Sequence, residues 1–315
     1  MFFNWHAYDF FLEPACKSGL GDRLVEIWSL ATIAELLHPG AKTASLWIEK
    51  GEKPTAERDY APLYTVENID FVKQRPLGTM RVSRYFDRTH VNDECIRELP
   101  NGLRQIQLRR ATAYGRHNPG SILAEAGHYG LPDTIRFDDI AATYRQIAAG
   151  TRPAACVERE LPADIDERIG IHVRLGDKLL AEEKERAMDM DRWKTIERRA
   201  LARIDDLAAT GEKLFVCSDD IEYRDTLAGR IRDKGGDAIV YSPAGDRKRP
   251  AGFAAQVDFF ALARCRQIIQ VTRYSNFSLA AAIMANCELV NFDPLAEGEE
   301  NPPSDWKGAV EILQS

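Results

Sequence analysis

Ile169-Gly170-Ile171-His172-Val173-Arg174-Leu175-Gly176-Asp177-Lys178 is the stretch on which the reading of this 315-residue chain turns. Its first five residues form an apolar run too short for a helix and suited to a buried parallel strand. Its remainder is a polar turn carrying Arg, Gly, Asp and Lys. Open α/β folds place their ligand chemistry where the chain leaves the carboxyl end of such a strand. An imidazole, a guanidinium and a carboxylate within six residues there suit an anion. A surface turn with an internal salt bridge is the plain alternative.

Downstream, strand-like runs recur at 214–217, 238–241, 268–272 and 289–292, with helical stretches at 192–209, 221–234, 254–265 and 277–286 between them. In the first of these helices Trp193, Ile196, Ala200, Ile204 and Leu207 make an apolar stripe at helical spacing. Such alternation implies right-handed βαβ units and a parallel sheet, a Rossmann-like half. Polar clusters follow three of the strands: His172 to Lys178, then Ser218-Asp219-Asp220, then Arg273-Tyr274-Ser275-Asn276-Phe277-Ser278. A parallel sheet gathers its strand ends on one edge, so the three converge on one crevice. Ser275 suits an N-cap, and the helix N-terminus behind it, with Arg174 opposite, suits a di-anion such as a pyrophosphate. Asp219 and Asp220 could cap the helix from 221 or hold a metal. No metal is expected, because arginine and helix terminus already offset the diphosphate charge.

The first half speaks less clearly. Lys17-Ser18-Gly19-Leu20-Gly21-Asp22-Arg23-Leu24 precedes a helical pattern over 25–37, closed by His38-Pro39-Gly40. A glycine turn feeding a helix can cradle phosphate or sugar through backbone N–H groups, and a plain tight turn is the alternative. Without a third glycine it is a poor dinucleotide fingerprint, which makes an NAD-dependent oxidoreductase remote. Strands are expected at 45–48, 69–72 and 80–85, helices at 93–98, 121–126 and 137–149, and a hinge within 151–162. Arg109, Arg110, Arg116 and His117 lie in polar segments that could meet a substrate.

Length and composition set limits. More than 300 residues exceed one ordinary core, so two domains of roughly 150 residues are expected, at 1–155 and 156–315. A content of 44% apolar and 29% charged residues argues against disorder. A net charge of −7 makes non-specific nucleic-acid binding a poor reading. Six scattered cysteines without a CxxC pair read as buried thiols, not as a zinc site or disulfide frame. The N-terminus lacks the form of a signal peptide and no run reaches the ~18 apolar residues of a membrane span, so a cytoplasmic location is expected.

The ordered motifs resemble the superfamily of α1,2-, α1,6- and protein O-fucosyltransferases, which includes the rhizobial nodulation fucosyltransferases. Gly19-Leu20-Gly21-Asp22-Arg23-Leu24 looks like its N-terminal glycine loop, with Asp22 where many members carry Asn. His172-Val173-Arg174-Leu175-Gly176-Asp177 is similar to its HxRxGD motif, Cys217-Ser218-Asp219-Asp220 to its second motif. Asp258-Phe259-Phe260-Ala261-Leu262 with Ser275-Asn276-Phe277-Ser278 is similar to its third. The resemblance implies a GT-B architecture, two Rossmann-like domains with parallel sheets facing across a cleft, the second binding GDP-fucose and the first taking the acceptor. It implies metal-independent, inverting transfer of fucose to a glycan hydroxyl in glycan biosynthesis, with no cofactor, nucleic-acid partner or membrane span.

By position the resemblance makes Gly19, Gly21 and Asp22 the glycine loop, and Arg174 the β-phosphate ligand with His172 beside it. Asp219 or Asp220 would meet guanine or ribose near Ser218, and Ser275, Asn276, Phe277 and Ser278 would line the phosphate and base pocket. Glu182, eight residues past the motif arginine, falls where a base is proposed in α1,6-type members, with Glu183 and Glu185 close by. Displacement at a sugar carbon independently needs a carboxylate for the acceptor proton and cations for the departing diphosphate. Another nucleotide-sugar donor, or a non-catalytic nucleotide-sugar or glycan binder, remain as alternatives.

Overall fold

Alternating Ile169, Ile171 and Val173 put branched apolar side chains on one face of a strand, and Gly170 and His172 on the other. The computed structural model describes residues 4–14, 19–47, 63–79, 95–108, 119–175, 190–242, 252–272 and 275–292. In it β8 (Ile169–Val173) is buried throughout and lies at the centre of a five-stranded, all-parallel sheet. The order is β10 (Asp237–Val240), β9 (Lys213–Ser218), β8, β11 (Gln267–Val271), β12 (Glu288–Asn291). The chain steps outward from β8 to β9 and β10, then returns to the far side of β8 as β11. The topological switch point, where such sheets open a crevice, therefore lies between β8 and β11.

The Ile169, Ile171 and Val173 face packs with Leu214, Val216, Ile269 and Val271 against α5 (Met190–Ala209) and α6 (Ile221–Asp233), through Trp193, Ile196, Ala200, Ile204, Leu227 and Ile231. The opposite face carries α7 (Phe253–Leu262) and α8 (Asn276–Ala285). Gly170 is what lets α7 approach: a Cβ there would stand 2.6 Å from Leu262 Cδ2 and 3.1 Å from Cys265 Sγ. Both neighbours are buried, so Gly170→Ala is expected to cost about 1–3 kcal/mol in urea or thermal unfolding. A melting temperature equal to that of the parent would contradict this packing.

The amino edge of the same sheet is closed by Arg168, 5% exposed. Its Nη2 donates to Asp164 (2.7 Å) and Asp237 (2.9 Å), and its Nη1 to the carbonyls of Leu214 and Asp237. Arg168 first among its causes holds the Asp164 carboxyl below its ordinary range. This contribution to stability is present above the usual carboxylate pKa and is lost as pH falls below it.

Residues 155–249 and 253–302 form this unit, and a first unit holds residues 1–154. The first has a seven-stranded sheet in the order β5 (Ile96–Glu98), β6 (Arg104–Ile106), β1 (Phe10–Leu12), β2 (Thr43–Leu46), β4 (Ile69–Val72), β3 (Tyr64–Val66), β7 (Thr151–Pro153). β6, β1, β2 and β4 are mutually parallel, and antiparallel strands flank them. The chain is thus α/β, with parallel strands at the heart of both sheets. α1 (Leu20–Leu37) packs on α3 (Phe137–Ala149), where Trp28 meets Tyr144 edge-on and bonds Thr151 Oγ1 at 2.9 Å. The short helices α2 (Pro119–Ala124) and α4 (Ala155–Glu158) complete the set of described α-helices.

Several expectations are corrected. Ile96–Glu98 is not helical but an edge strand antiparallel to β6, because three residues with no apolar period are recruited by their neighbour. α1 begins at Leu20, so Gly21 and Asp22 sit in its first turn and only Gly19 precedes it. Thr151–Pro153, placed in the expected hinge, pairs with β3. The strand expected at 80–85 lies outside the described residues.

Candidate functional site

Register brings His172 of β8 level with Cys217 of β9 and Gln270 of β11. Directly opposed residues of paired strands point to one face, so all three lie beneath α7 and α8. The His172 ring is 5% exposed and stacks on Phe277 of α8 at 5.0 Å and 29°. Phe277 in turn meets Phe259 of α7 edge-on at 5.4 Å. Burial, and then the charge of Arg174, push the imidazole down to about 3, so it is neutral at physiological pH. Among the described residues its Nδ1 has no hydrogen-bond partner.

Arg174 is half-buried at the carboxyl end of β8. The next residue is tethered: Leu175 N donates to Asp219 Oδ1 at 2.8 Å, so a carboxylate past β9 fixes the turn past β8. Asp220 caps α6 by accepting from Tyr223 N at 2.9 Å, and Ser218 Oγ accepts from Asp220 N at 3.1 Å. Ser275 caps α8 through its hydroxyl, which accepts from Phe277 N at 3.3 Å. A helix start has more N–H groups than one cap satisfies, and its dipole favours anions. Ser278 is fully buried, its hydroxyl donating to Gln270 Oε1 at 2.6 Å, which makes it part of the scaffold below the edge. Asn276 is buried at the first position of α8.

Arg174 follows β8 directly, and Ser275 caps the helix that comes after β11, the two strands that flank the switch point. Ser218 ends β9, with Asp219 and Asp220 after it. Gly19, Gly21 and Asp22 belong to the first unit, with Gly19 at the N-cap of α1. Glu182, like Asp177 and Lys178, lies outside the described residues, as do Arg109, Arg110, Arg116 and His117.

One residue entered the sequence reading only as the start of the third motif, with no role given to it. Asp258 sits mid-way along α7, and its enclosed Oδ1 has no hydrogen-bond partner among the described residues. Burial raises its carboxyl to about 7, and Arg224 pulls it back down. After burial, its charge is among the causes that raise the Cys217 thiol. A third buried atom without a partner among the described residues, Thr272 Oγ1, directly follows β11. The signal available in sequence was a lone acid inside the apolar run Phe253–Leu262. Among the described residues no cluster of three or more His, Cys, Asp or Glu could hold a metal ion, and no helix is long and apolar enough to cross a membrane.

No family model matches the chain, and no curated protein does. Among solved structures, a NodZ α-1,6-fucosyltransferase soaked with GDP-fucose is 17% identical, covering 91% of this chain and 96% of that one, with a TM-score of 0.48. The fucosyltransferase NodZ from Bradyrhizobium is 16% identical over 90% and 96%, with a TM-score of 0.47. POFUT1 in complex with GDP is 10% identical over 90% and 98%, with a TM-score of 0.48. Likeness at this level lends no role to any residue; the fold class rests on the sheet order above.

Proposed function

We propose that this chain is a glycosyltransferase that moves a sugar from a guanosine-diphosphate donor to a hydroxyl acceptor, the sugar being fucose as the sequence motifs suggest. One observation carries the reading. Among the described residues of the second unit, the buried side-chain polar atoms without partners are His172 Nδ1, Asp258 Oδ1 and Thr272 Oγ1, with His172 and Thr272 at the carboxyl ends of β8 and β11. Buried polar atoms cost free energy unless they are bonded, so three left open together mark a surface awaiting a ligand.

The chemistry of the donors and acceptors favours guanine. A buried carboxylate accepts, and guanine offers two adjacent donors, N1–H and the N2 amino group, on one edge. Uracil offers one N–H between two carbonyls, which a carboxylate repels. The neutral His172 ring, stacked on Phe277, provides a flat wall with a nitrogen left for the base or ribose. Arg174 and the start of α8 then fall where the diphosphate would lie, with cations and N–H groups to stabilise the leaving group as the glycosidic bond breaks.

A thermal-shift panel tests the donor first. GDP is expected to raise the melting temperature without added magnesium, and more than UDP or ADP at equal concentration. A larger shift with UDP would refute the guanine assignment. GDP release from GDP-fucose with a glycan array then tests transfer against mere binding. For the acceptor proton, Glu182 is the proposed base by motif position. Fucose itself, the inverting course and a cytosolic setting belong to the same proposal.

A further inference from the structure

Gln270 is an amide where the strand pattern calls for a hydrocarbon. It lies one residue before the end of β11, fully buried and level with His172 of β8, between the apolar Ile269 and Val271. Central parallel strands are filled by branched apolar residues, and a buried amide costs free energy unless it is bonded. Both of its ends are bonded. Ser278 Oγ, in the first turn of α8, donates to Gln270 Oε1 at 2.6 Å. Gln270 Nε2 donates to the carbonyl of Thr272, directly past β11, at 3.4 Å. A carbonyl only accepts, so the amide nitrogen faces Thr272 and its oxygen faces the hydroxyl. One side chain thus ties together the two ends of the connection from β11 to α8.

We propose that Gln270 is a positioning residue for the donor diphosphate, holding the start of α8 at a fixed place on β11, an inference resting on the proposed function, in which that helix start meets the diphosphate. Bonds from N–H groups to phosphate oxygens weaken steeply when distance or angle slips, whereas apolar contact is non-directional. Residues Leu279 to Ile283 are buried, so α8 stays packed without the tie and only its first turn is at stake. Ser278 Oγ has a second acceptor, the carbonyl of Ser275 at 3.3 Å, so removing Gln270 does not orphan the hydroxyl. What is lost is the link between strand and helix. Thr272 falls under the same control: Gln270 holds its carbonyl, while its buried Oγ1 has no hydrogen-bond partner among the described residues.

The test compares GDP with guanosine, which shares base and ribose but lacks the phosphates, by calorimetric titration of the full-length protein. Gln270→Met keeps the side-chain volume and removes the tie. GDP should then bind about tenfold more weakly and guanosine within about twofold of the parent, while turnover of GDP-fucose slows about ten- to a hundredfold. Ser278→Ala cuts one arm of the tie and should reproduce part of the GDP loss, so a poorly folded Gln270→Met does not remove the test. In the double variant the losses should fall short of additive, because both changes break one link. A packing role alone would lower the melting temperature and leave the preference for GDP over guanosine intact. That result, or equal weakening of both ligands, overturns the inference and leaves the proposed function standing. A parent protein that does not bind GDP refutes the proposed function itself and takes the assignment of Gln270 with it.

Discussion

Arg174→Ala is expected to slow transfer from GDP-fucose by about a hundred- to a thousandfold, the loss seen when one donor to a developing anion is removed. The residue stands one position past β8, the central strand of its sheet. As the sugar–oxygen bond lengthens, charge grows on the diphosphate, and a fixed guanidinium stabilises that state more than the ground state. The turnover number and its ratio to KM should therefore fall together, with GDP affinity changing less. Arg174→Lys should recover only part of the rate, since it keeps the charge and loses the planar fork. Initial rates of GDP release measure both variants. Turnover within about threefold of the parent in Arg174→Ala would remove the central claim of the mechanism.

Asp258→Asn should produce two effects of opposite sign. Replacing the carboxylate loses charge-assisted bonds worth about 1.5–3 kcal/mol, so GDP should bind roughly ten- to a hundredfold more weakly and preference over UDP should shrink. The folded protein, however, should become more stable above neutral pH. An acid raised to about 7 by burial ionises more readily in the unfolded chain. The parent thus loses stability as pH rises from the usual carboxylate range to about 7, and the amide avoids this cost. In the parent, GDP affinity should fall about tenfold between pH 8 and pH 6, because only the ionised fraction binds. Asp258→Asn should flatten that dependence. A pH-independent GDP affinity in the parent would exclude Asp258 from the base site.

Sequence carried the second unit further than the first, for a physical reason. Strands buried on both faces read as continuous apolar runs, so Ile169–Val173 and Gln267–Val271 were legible to within a residue or so. Ile96–Glu98 has no such run and takes its form from pairing with β6, which no local pattern records. The start of α1 was hidden because Gly21 and Asp22 are poor helix formers, tolerated in a first turn where Gly19 ends the preceding loop. That β8, β9 and β11 end on one edge of the sheet was legible from the strand order alone. The division of labour was not. Ser278 is committed to Gln270 and Asp219 to Leu175 N, contacts made across the sheet. Asp258 was read only as the start of a motif, because an acid among Phe253–Leu262 gains meaning only from the strands beyond its own helix.

Arg168 gives the second unit a polarity that a mutational scan could read without any structural probe. At one end of the sheet the donors of that arginine are matched to oxygens; toward the other, His172 Nδ1 and Thr272 Oγ1 lack partners among the described residues. Lesions around Arg168, Asp164 and Asp237 should behave as temperature-sensitive alleles, inactive when warm and restored on cooling. Lesions around His172, Arg174 and Asp258 should be inactive at all temperatures while the protein accumulates normally. Scoring one library at two growth temperatures would therefore map the two ends of the sheet as two phenotypes.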